Sequence, residues 1–439
     1  MKAEILHGDC RELLRSMPDN SIDSLVTDPP YEYEFMNQRW DGTGIAFEVA
    51  MWKEVFRVLK PGAYGAVFGA DRRIHRVMCA LEDAGFLLRH QGAWVSAQVF
   101  PKSLDAGKAI DARLGKERAD GAVPVTPEAE KWDGYGTALK TMEPWVLIRK
   151  PLDGTLAENL IKWGVGALNI GGARLPLTTP GESLNGGAYS PGGRPSGLPG
   201  DTRTQAGQGM YADGCGRLPG QFVQPEGRWP SVLICSDLDL EGPVLGVEVF
   251  GAQDDDLDGV LGPYTKHFRI GEHVLTAVDD AIFNGLIPSL VVCPKVGPAE
   301  RDLGCDDLAE QWVDPSRQEG SDGRNSPRAG AGRQSKRKNI HPTVKPISLM
   351  RHLIRLVTPA GGTVLDNFTG SAAGGMAAVW EGMSFVGCEL TDTDEQPFVR
   401  IGRARLAYAL RTPPPPIEAR VVKPPPPPPP SKQLGLFDG

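Results

Sequence analysis

The chain has 439 residues, more than a typical single domain, and 40% of them are hydrophobic, which is ample for a core. Its formal net charge of -8 excludes a protein that coats nucleic acid by bulk positive charge. The seven cysteines include no Cys-x-x-Cys pair, and no apolar run approaches the roughly 20 residues of a membrane span. We therefore expect a cytoplasmic protein with reduced thiols and no signal peptide.

The first residues predict a strand, a turn and a helix in quick succession. Residues 4–7 suggest a short strand, Gly8 and Asp9 a turn, and Cys10 the start of a helix. Two roles remain open for Asp9, since its carboxylate could cap that helix or bind a ligand.

Residues 23–31 read Asp-Ser-Leu-Val-Thr-Asp-Pro-Pro-Tyr and predict a functional site. The apolar run 25–27 indicates a buried strand, which delivers polar groups to its carboxyl end, where open α/β sheets bind ligands. Pro29 and Pro30 form a stiff turn whose carbonyls are free to accept hydrogen bonds, and Asp28 adds a charged acceptor. Tyr31 offers a flat face for a nucleobase. Such a group suits the activation of an exocyclic amine.

Strand and helix patterns alternate after this motif. The loop 32–44 contains Trp40 and Asp41 and adjoins the predicted site, which favours a functional loop. Apolar residues at helical spacing from Phe47 to Leu59 predict a helix ended by Pro61-Gly62. A strand at 63–68, a helix at 73–84 and a strand at 86–95 follow, so we expect a mostly parallel sheet.

The middle of the chain changes composition. Residues 178–228 are rich in Gly, Pro, Ser and Gln and predict a mobile loop. Residues 254–259 imitate the first half of a calcium loop, but Thr265 replaces the Glu expected at its twelfth position, so no metal is predicted.

Basic residues outside the predicted strands are candidate DNA backbone contacts. The segment 324–338 has no acidic residue and contributes Arg333, Lys336, Arg337 and Lys338. Earlier in the chain the candidates are Lys102, Lys140, Arg149 and Lys150, for which an ordinary solvated role is an equal alternative.

A second motif lies near the carboxyl end. Residues 341–346, His-Pro-Thr-Val-Lys-Pro, open a predicted helix, and a strand at 363–365 leads into Asp366-Asn367-Phe368-Thr369-Gly370-Ser371. A helix to Glu381 and a strand ending at Glu389 complete a βαβ unit. Glu389 lies 19 residues beyond Gly370, a spacing at which an acid can hold ribose hydroxyls.

The two motifs resemble those of the β class of DNA amino-methyltransferases, which transfer a methyl group from S-adenosylmethionine (SAM). Stretches within 98–172 are similar to phage and prophage DNA methylases. The resemblance implies catalytic roles for Asp28, Pro29, Pro30 and Tyr31, and a loop carrying Trp40 and Asp41 that closes over the target base. It implies the following SAM-binding residues: Asp9, Lys345, Asp366, Phe368, Gly370, Ser371 and Glu389. Asn367, Ala372 and Ala373 depart from the family pattern.

The resemblance also implies a doubly wound, mostly parallel Rossmann-like α/β sheet formed by residues 1–150 and 336–411. Residues 151–335 would be a target-recognition insertion, and the substrate a base flipped out of duplex DNA. Asp at the first motif position favours adenine N6, with cytosine N4 as the alternative. Two other classes remain, a nicotinamide-dependent oxidoreductase and a non-enzymatic DNA-binding relative.

The last residues predict a tethered peptide. Residues 412–430 contain two proline runs and read as an extended linker, followed by an apolar cluster at 431–439. Gln433, Leu434, Leu436 and Phe437 resemble the short peptide by which DNA enzymes dock on the bacterial replication sliding clamp. An unstructured terminus is the alternative.

Overall fold

The structure is a computed structural model, and it describes residues 1–33, 39–95, 103–118, 123–139, 142–174, 230, 233–235, 291–293, 295–312 and 336–414. Nearly all of these belong to one compact unit, Met1–Gly172, Val232–Val247 and Val291–Ala419. Within the described ranges, no helix has the length and apolar character needed to cross a membrane.

One nine-stranded sheet organises this unit, with the strand order β1-β11-β10-β2-β3-β5-β4-β6-β7. Its strands are β1 (Ala3–His7), β2 (Ile22–Thr27), β3 (Leu59–Phe68), β4 (Leu87–Val95), β5 (Glu143–Arg149), β6 (Leu233–Cys235), β7 (Val291–Val292), β10 (Thr363–Asp366) and β11 (Ser384–Glu389). A separate antiparallel pair joins β8 (Gln311–Trp312) to β9 (Lys336–Arg337). Only β5 runs antiparallel to its neighbours in the large sheet, as the paired registers show.

The helices are α1 (Cys10–Arg15), α2 (Val49–Val58), α3 (Ile74–Asp83), α4 (Ala106–Arg113), α5 (Pro127–Glu130), α6 (Leu156–Trp163), α7 (Pro298–Asp302), α8 (Ile347–Val357), α9 (Ala373–Trp380) and α10 (Phe398–Arg411). Every residue of β2 is buried, so both faces of the sheet are covered. Met51, Trp52 and Val55 of α2 pack into a core that also includes Leu25. These observations confirm the predicted doubly wound, mostly parallel α/β fold.

One predicted boundary was wrong. Helix α2 ends at Val58 rather than at Pro61-Gly62, and β3 begins at Leu59, which pairs with Ile22. Gly62 has a φ of 82° and donates its N–H to the carbonyls of Lys150 and Pro151. Pairing with a buried neighbouring strand therefore outweighs the usual meaning of Pro-Gly as a helix stop.

The point where the strand order reverses is the boundary between β10 and β2. From β10 the chain continues to β11 on one side of this boundary, and from β2 it continues to β3 on the other side. The Thr27 hydroxyl at the end of β2 donates to Asp366 Oδ1 at the end of β10, at 2.8 Å. Ligands of open α/β sheets bind at such a boundary, beyond the carboxyl ends of the strands.

Candidate active site

A cavity of about 560 Å³ opens at this boundary. Both predicted motifs line it: the Asp28–Tyr31 motif contributes all four of its residues, and the second motif contributes residues 341–345 and the turn after β10. Strands β2 and β10 end side by side, so the fold brings together two groups that are more than 300 residues apart in the chain. The sequence prediction that they share one site is supported by this geometry.

Asp28 has one oxygen held by the protein and one left available. Lys345 Nζ donates to Asp28 Oδ2 at 2.5 Å, whereas Oδ1 is buried and has no hydrogen-bond partner among the described residues. Burial raises the pKa of the Asp28 carboxyl, and the Lys345 ammonium partly offsets that rise. A buried acceptor without a partner is costly, so Oδ1 is suited to accept a hydrogen bond from a ligand.

Glu143 completes this cluster, and the sequence analysis did not single it out. Its Oε2 lies 3.1 Å from Lys345 Nζ and accepts a hydrogen bond from the Tyr31 hydroxyl at 3.1 Å. Burial alone would raise the pKa of Glu143, but Lys345 and Tyr31 outweigh it and hold that pKa below its ordinary value. Because β5 is antiparallel, its first residue lies at the edge where the parallel strands end.

Lys345 is placed differently from the prediction. We expected a cofactor ligand, but its Nζ contacts Asp28, Glu143 and the Tyr31 oxygen, the last at 3.2 Å. The ammonium also lies 5.1 Å from the ring centroids of both Tyr31 and Phe68. The two carboxylates raise the pKa of Lys345 despite its burial. The long side chain therefore reaches across to the catalytic motif, where it pairs with buried carboxylates.

The turn after β10 forms the other half of the cavity. Gly370 has a φ of 51° and donates its N–H to Glu389 Oε2 at 2.9 Å, while Thr391 donates to Glu389 Oε1. A Cβ at Gly370 would lie 2.7 Å from His341 Nε2, so only glycine leaves this approach open. Phe368 and Ser371 line the cavity as predicted.

These features fit SAM. Burial raises the pKa of Asp366 to about 7 and also raises the pKa of Glu389, so two carboxyl groups in a low-dielectric site face the same cavity. A positively charged ligand would favour the ionised forms of these two carboxyl groups, and their oxygens can accept hydrogen bonds from ligand hydroxyls. SAM has a sulfonium, an ammonium and a ribose, so Asp366 and Glu389 suit it.

Two of the three residues that depart from the family pattern have unusual surroundings or backbone geometry. Ala372 is fully buried with a φ of 58°, a left-handed conformation that glycine adopts at lower cost. Asn367 is buried and its Nδ2 points at the sulfur of Met51. Ala372 lies at the start of α9 and Asn367 just after β10, so both changes fall in the turn rather than in the catalytic cluster.

Asp9 performs the first of its two predicted roles. Its Oδ1 accepts from Arg11 N at 2.9 Å and so caps α1, and its Oδ2 pairs with Arg11 Nη2 at 2.6 Å. Hydrogen bonding by Arg11 lowers the pKa of Asp9. Because Asp9 also lines the cavity, a ligand role stays a prediction alongside the observed cap.

Two residues that were predicted to contact DNA are buried and bonded within the protein. Asp41 is 2% exposed, and its oxygens accept from the backbone N–H groups of Glu32 and Tyr33, so it fixes the chain after the catalytic motif. Lys150 is buried, and its Nζ donates to Asn20 Oδ1 and to the carbonyls of Phe56 and Leu59. Both side chains satisfy buried backbone groups that would otherwise lack partners.

The remaining DNA-contact predictions stay open. Lys336 is exposed on the β8–β9 pair, and Lys338 bonds the carbonyl of Asp306 at 2.9 Å. Arg337 and Arg149 are partly exposed. The side chain of Trp40 lies outside the described residues, as do Lys102, Lys140, Arg333, the 178–228 loop and the calcium-like segment. The peptide with Gln433, Leu434, Leu436 and Phe437 also lies outside them.

The strand order and the cavity at its reversal point define a Rossmann-like fold of the kind found in SAM-dependent methyltransferases. Residues 306–395 match the N6_N4_Mtase family model, described as DNA methylase. With the two motifs, this match supports an N6/N4 DNA methyltransferase that uses SAM.

Curated relatives and solved structures that are similar to this chain include DNA methyltransferases. Among relatives, the type II methyltransferases M.HindIII and M.HinfI of Haemophilus influenzae are 31% and 28% identical over 159 and 116 residues. The alignments cover 35% and 22% of this chain and 45% and 32% of those proteins. The chain thus spans less than half the length of either relative.

Two solved structures align over most of this chain. The PvuII DNA methyltransferase (cytosine-N4-specific) aligns with a TM-score of 0.39 at 12% identity, covering 92% of this chain and 86% of that one. M1.HpyAVI aligns with a TM-score of 0.36 at 10% identity, covering 92% and 98%. The assignment of the fold therefore depends on the strand order and not on these alignments.

Proposed function

We propose that this protein methylates the exocyclic amine of a base in duplex DNA, with adenine N6 as the acceptor. The observation that carries the proposal is the Oδ1 of Asp28, which has no hydrogen-bond partner among the described residues, in a side chain that lines the same cavity as the Gly370 turn and Glu389. Amine acceptor and cofactor sites are thereby held side by side on neighbouring strands. Such positioning contributes much of the rate of a two-substrate reaction.

The amine of adenine is a poor nucleophile because its lone pair is conjugated with the ring. Asp28 Oδ1 and the Pro29 carbonyl would accept its two hydrogens and favour a pyramidal nitrogen, and the carboxylate would stabilise the positive charge developing there. The Tyr31 ring would stack on the base, which must leave the duplex at a cost of a few kcal/mol. SAM supplies the electrophilic methyl group.

SAM binding is expected to depend on pH through Asp366. Its pKa of about 7 means that the carboxyl is largely protonated at pH 6 and largely ionised at pH 8. Since the ionised form attracts the cationic cofactor, affinity should rise with pH, and the dissociation constant at pH 6 should be roughly tenfold weaker than at pH 8. Calorimetry at both pH values measures the dissociation constant for SAM.

Asp366→Asn provides the control for this dependence, because it cannot ionise. The variant should bind SAM weakly at both pH values with little difference between them. Burial is the main cause of the raised Asp366 pKa, and the negative charges of Asp28 and Glu389 raise it further. Burial lowers the pKa of His341 to about 3, so His341 is neutral at both pH values. An unchanged pH profile in the variant would contradict the assignment.

The acceptor base is identified by a single experiment. The protein is incubated with duplex DNA and SAM labelled in its methyl group, and the DNA is digested to nucleosides and separated. Label in N6-methyladenine supports the proposal. Label in N4-methylcytosine assigns the other amine, and no label in any nucleoside favours a non-enzymatic DNA-binding relative.

We assign DNA sequence specificity to residues 151–335, as a target-recognition insertion. The first part of this region, residues 151–172 with helix α6, belongs to the compact unit. Lys336 is exposed, and we assign it to a DNA phosphate contact. Resemblance to type II methyltransferases suggests a role in restriction-modification.

For the carboxyl-terminal peptide we propose docking on the bacterial sliding clamp, supported by its sequence alone. A synthetic peptide of residues 430–439 should bind the purified clamp with roughly micromolar affinity. In the whole protein, the proline linker would then tether the rest of the chain near the clamp and raise its local concentration on DNA. Replacing Leu436 and Phe437 by Ala should remove binding in calorimetry. No heat from the intact peptide at high micromolar concentration would end this proposal.

A further inference from the structure

The charges around Asp28 do not cancel. Lys345 Nζ contacts Asp28 Oδ2 at 2.5 Å and Glu143 Oε2 at 3.1 Å, so two carboxylates share one ammonium. The side chains of Lys345 and Asp28 are 8% and 17% exposed, which keeps solvent screening low. Without Glu143, the ionised Asp28–Lys345 pair would be neutral. When all three groups are ionised, the second carboxylate gives the cluster a net charge of -1.

An excess negative charge is what an amine-methylating site requires. When the methyl group passes from the SAM sulfonium to the amine nitrogen, the carbon–sulfur bond breaks and S-adenosylhomocysteine leaves. The methylated nitrogen is then cationic until a proton passes from it to Asp28 Oδ1. A neutral Asp28–Lys345 pair would stabilise this cation weakly, because the ammonium repels it nearly as strongly as the carboxylate attracts it.

We propose that Glu143 is a positioning residue for methyl transfer, which binds Lys345 and Tyr31 and restores the net negative charge that Asp28 presents to the amine. This inference rests on the proposed function. Glu143 acts through Lys345 and Tyr31, since its Oε2 contacts both of them at 3.1 Å.

The other charged groups around the cluster are fixed or distant. Lys295 lines the cavity and acts on Glu143 more weakly than Lys345 does. Asp366 is linked to Thr27 and belongs to the cofactor side, and Tyr31 keeps its proton because burial raises its pKa far above the ordinary value. Removing the Glu143 charge therefore changes mainly the Asp28–Lys345 pair.

Glu143→Gln tests the inference, because the amide oxygen can still accept from Lys345 and Tyr31 while the charge is lost. We expect kcat to fall roughly tenfold to a hundredfold, with the dissociation constant for SAM and the unfolding temperature nearly unchanged. Glu143 raises the pKa of Asp28, so the variant should also move the acidic limb of the kcat–pH profile to lower pH. Glu143→Asp, which keeps the charge, should recover much of the rate.

Two further measurements make the result specific. The protonation of Asp28 is followed in the apoenzyme by its infrared carbonyl band, assigned with Asp28→Asn, and should shift to lower pH in Glu143→Gln. Glu54→Gln, which removes a surface charge paired with Arg57, serves as the matched control and should behave as wild type.

The outcomes separate the inference from the proposed function. A wild-type protein that labels no base refutes the function. If the wild type is active, the role of Glu143 is refuted by a Glu143→Gln variant with the same kcat. It is also refuted by a variant whose acidic limb of the kcat–pH profile has not moved. A lower kcat plateau in Glu143→Gln, with the acidic limb of its kcat–pH profile at lower pH, supports the role of Glu143.

Discussion

Replacing Asp28 by Asn is expected to lower the rate of methyl transfer by about a thousandfold, the upper range for losing one charged group at a reacting atom. The amide still fills the site, and Lys345 keeps Glu143 as a partner, so no unpaired ammonium is buried. Single-turnover assays with labelled SAM measure the rate. SAM binding should stay within a few-fold, because Asp28 lies on the amine side of the cavity.

Asp19→Asn is the matched control, since Asp19 is an exposed partner of Arg57 outside the cavity. Near wild-type turnover by Asp28→Asn would refute the catalytic assignment. A loss of transfer accompanied by an equal loss of SAM affinity would instead place Asp28 on the cofactor.

Replacing Glu389 by Ala should weaken SAM binding by about 1 to 3 kcal/mol, roughly 5- to 150-fold, the range for leaving buried polar groups unpaired. Glu389 accepts from the N–H groups of Gly370 and Thr391 and so holds the turn in addition to any ligand contact. The dissociation constant is measured by calorimetry at pH 8, where Asp366 is ionised.

Glu395→Ala is the comparison for Glu389, since Glu395 is an exposed acid in the segment that follows β11. It should bind SAM like the wild type. Equal affinity for SAM in Glu389→Ala would mean that Glu389 serves only to close the strand and the turn.

Sequence reasoning located both motifs because each combines a local pattern with chemistry. The buried run before Asp28 predicted a strand and its exit point, and the Asp366–Ser371 turn followed a second strand. These are short-range features, so composition and spacing within about ten residues were enough.

Glu143 and Lys345 show where such reasoning ends. No motif surrounds Glu143, and its place beside Asp28 depends on the direction of β5, which the sequence does not reveal. Lys345 was assigned to the cofactor by its neighbours in the chain, whereas its long side chain reaches another strand. The burial of Asp41 and Lys150 was not predicted, because charged residues are usually exposed and only tertiary contacts show that these two are buried.

The pairing of β1 and β2 has a consequence for biosynthesis. The first strand pairs with β11, and β2 pairs on one side with β10, so both wait for residues that are made much later in translation. Until then a nascent chain exposes an unpaired strand edge, and such edges promote aggregation. Contacts between such distant residues also slow folding. The sheet is therefore completed late, and the cavity at its centre is complete only after β10 and β11 have been made.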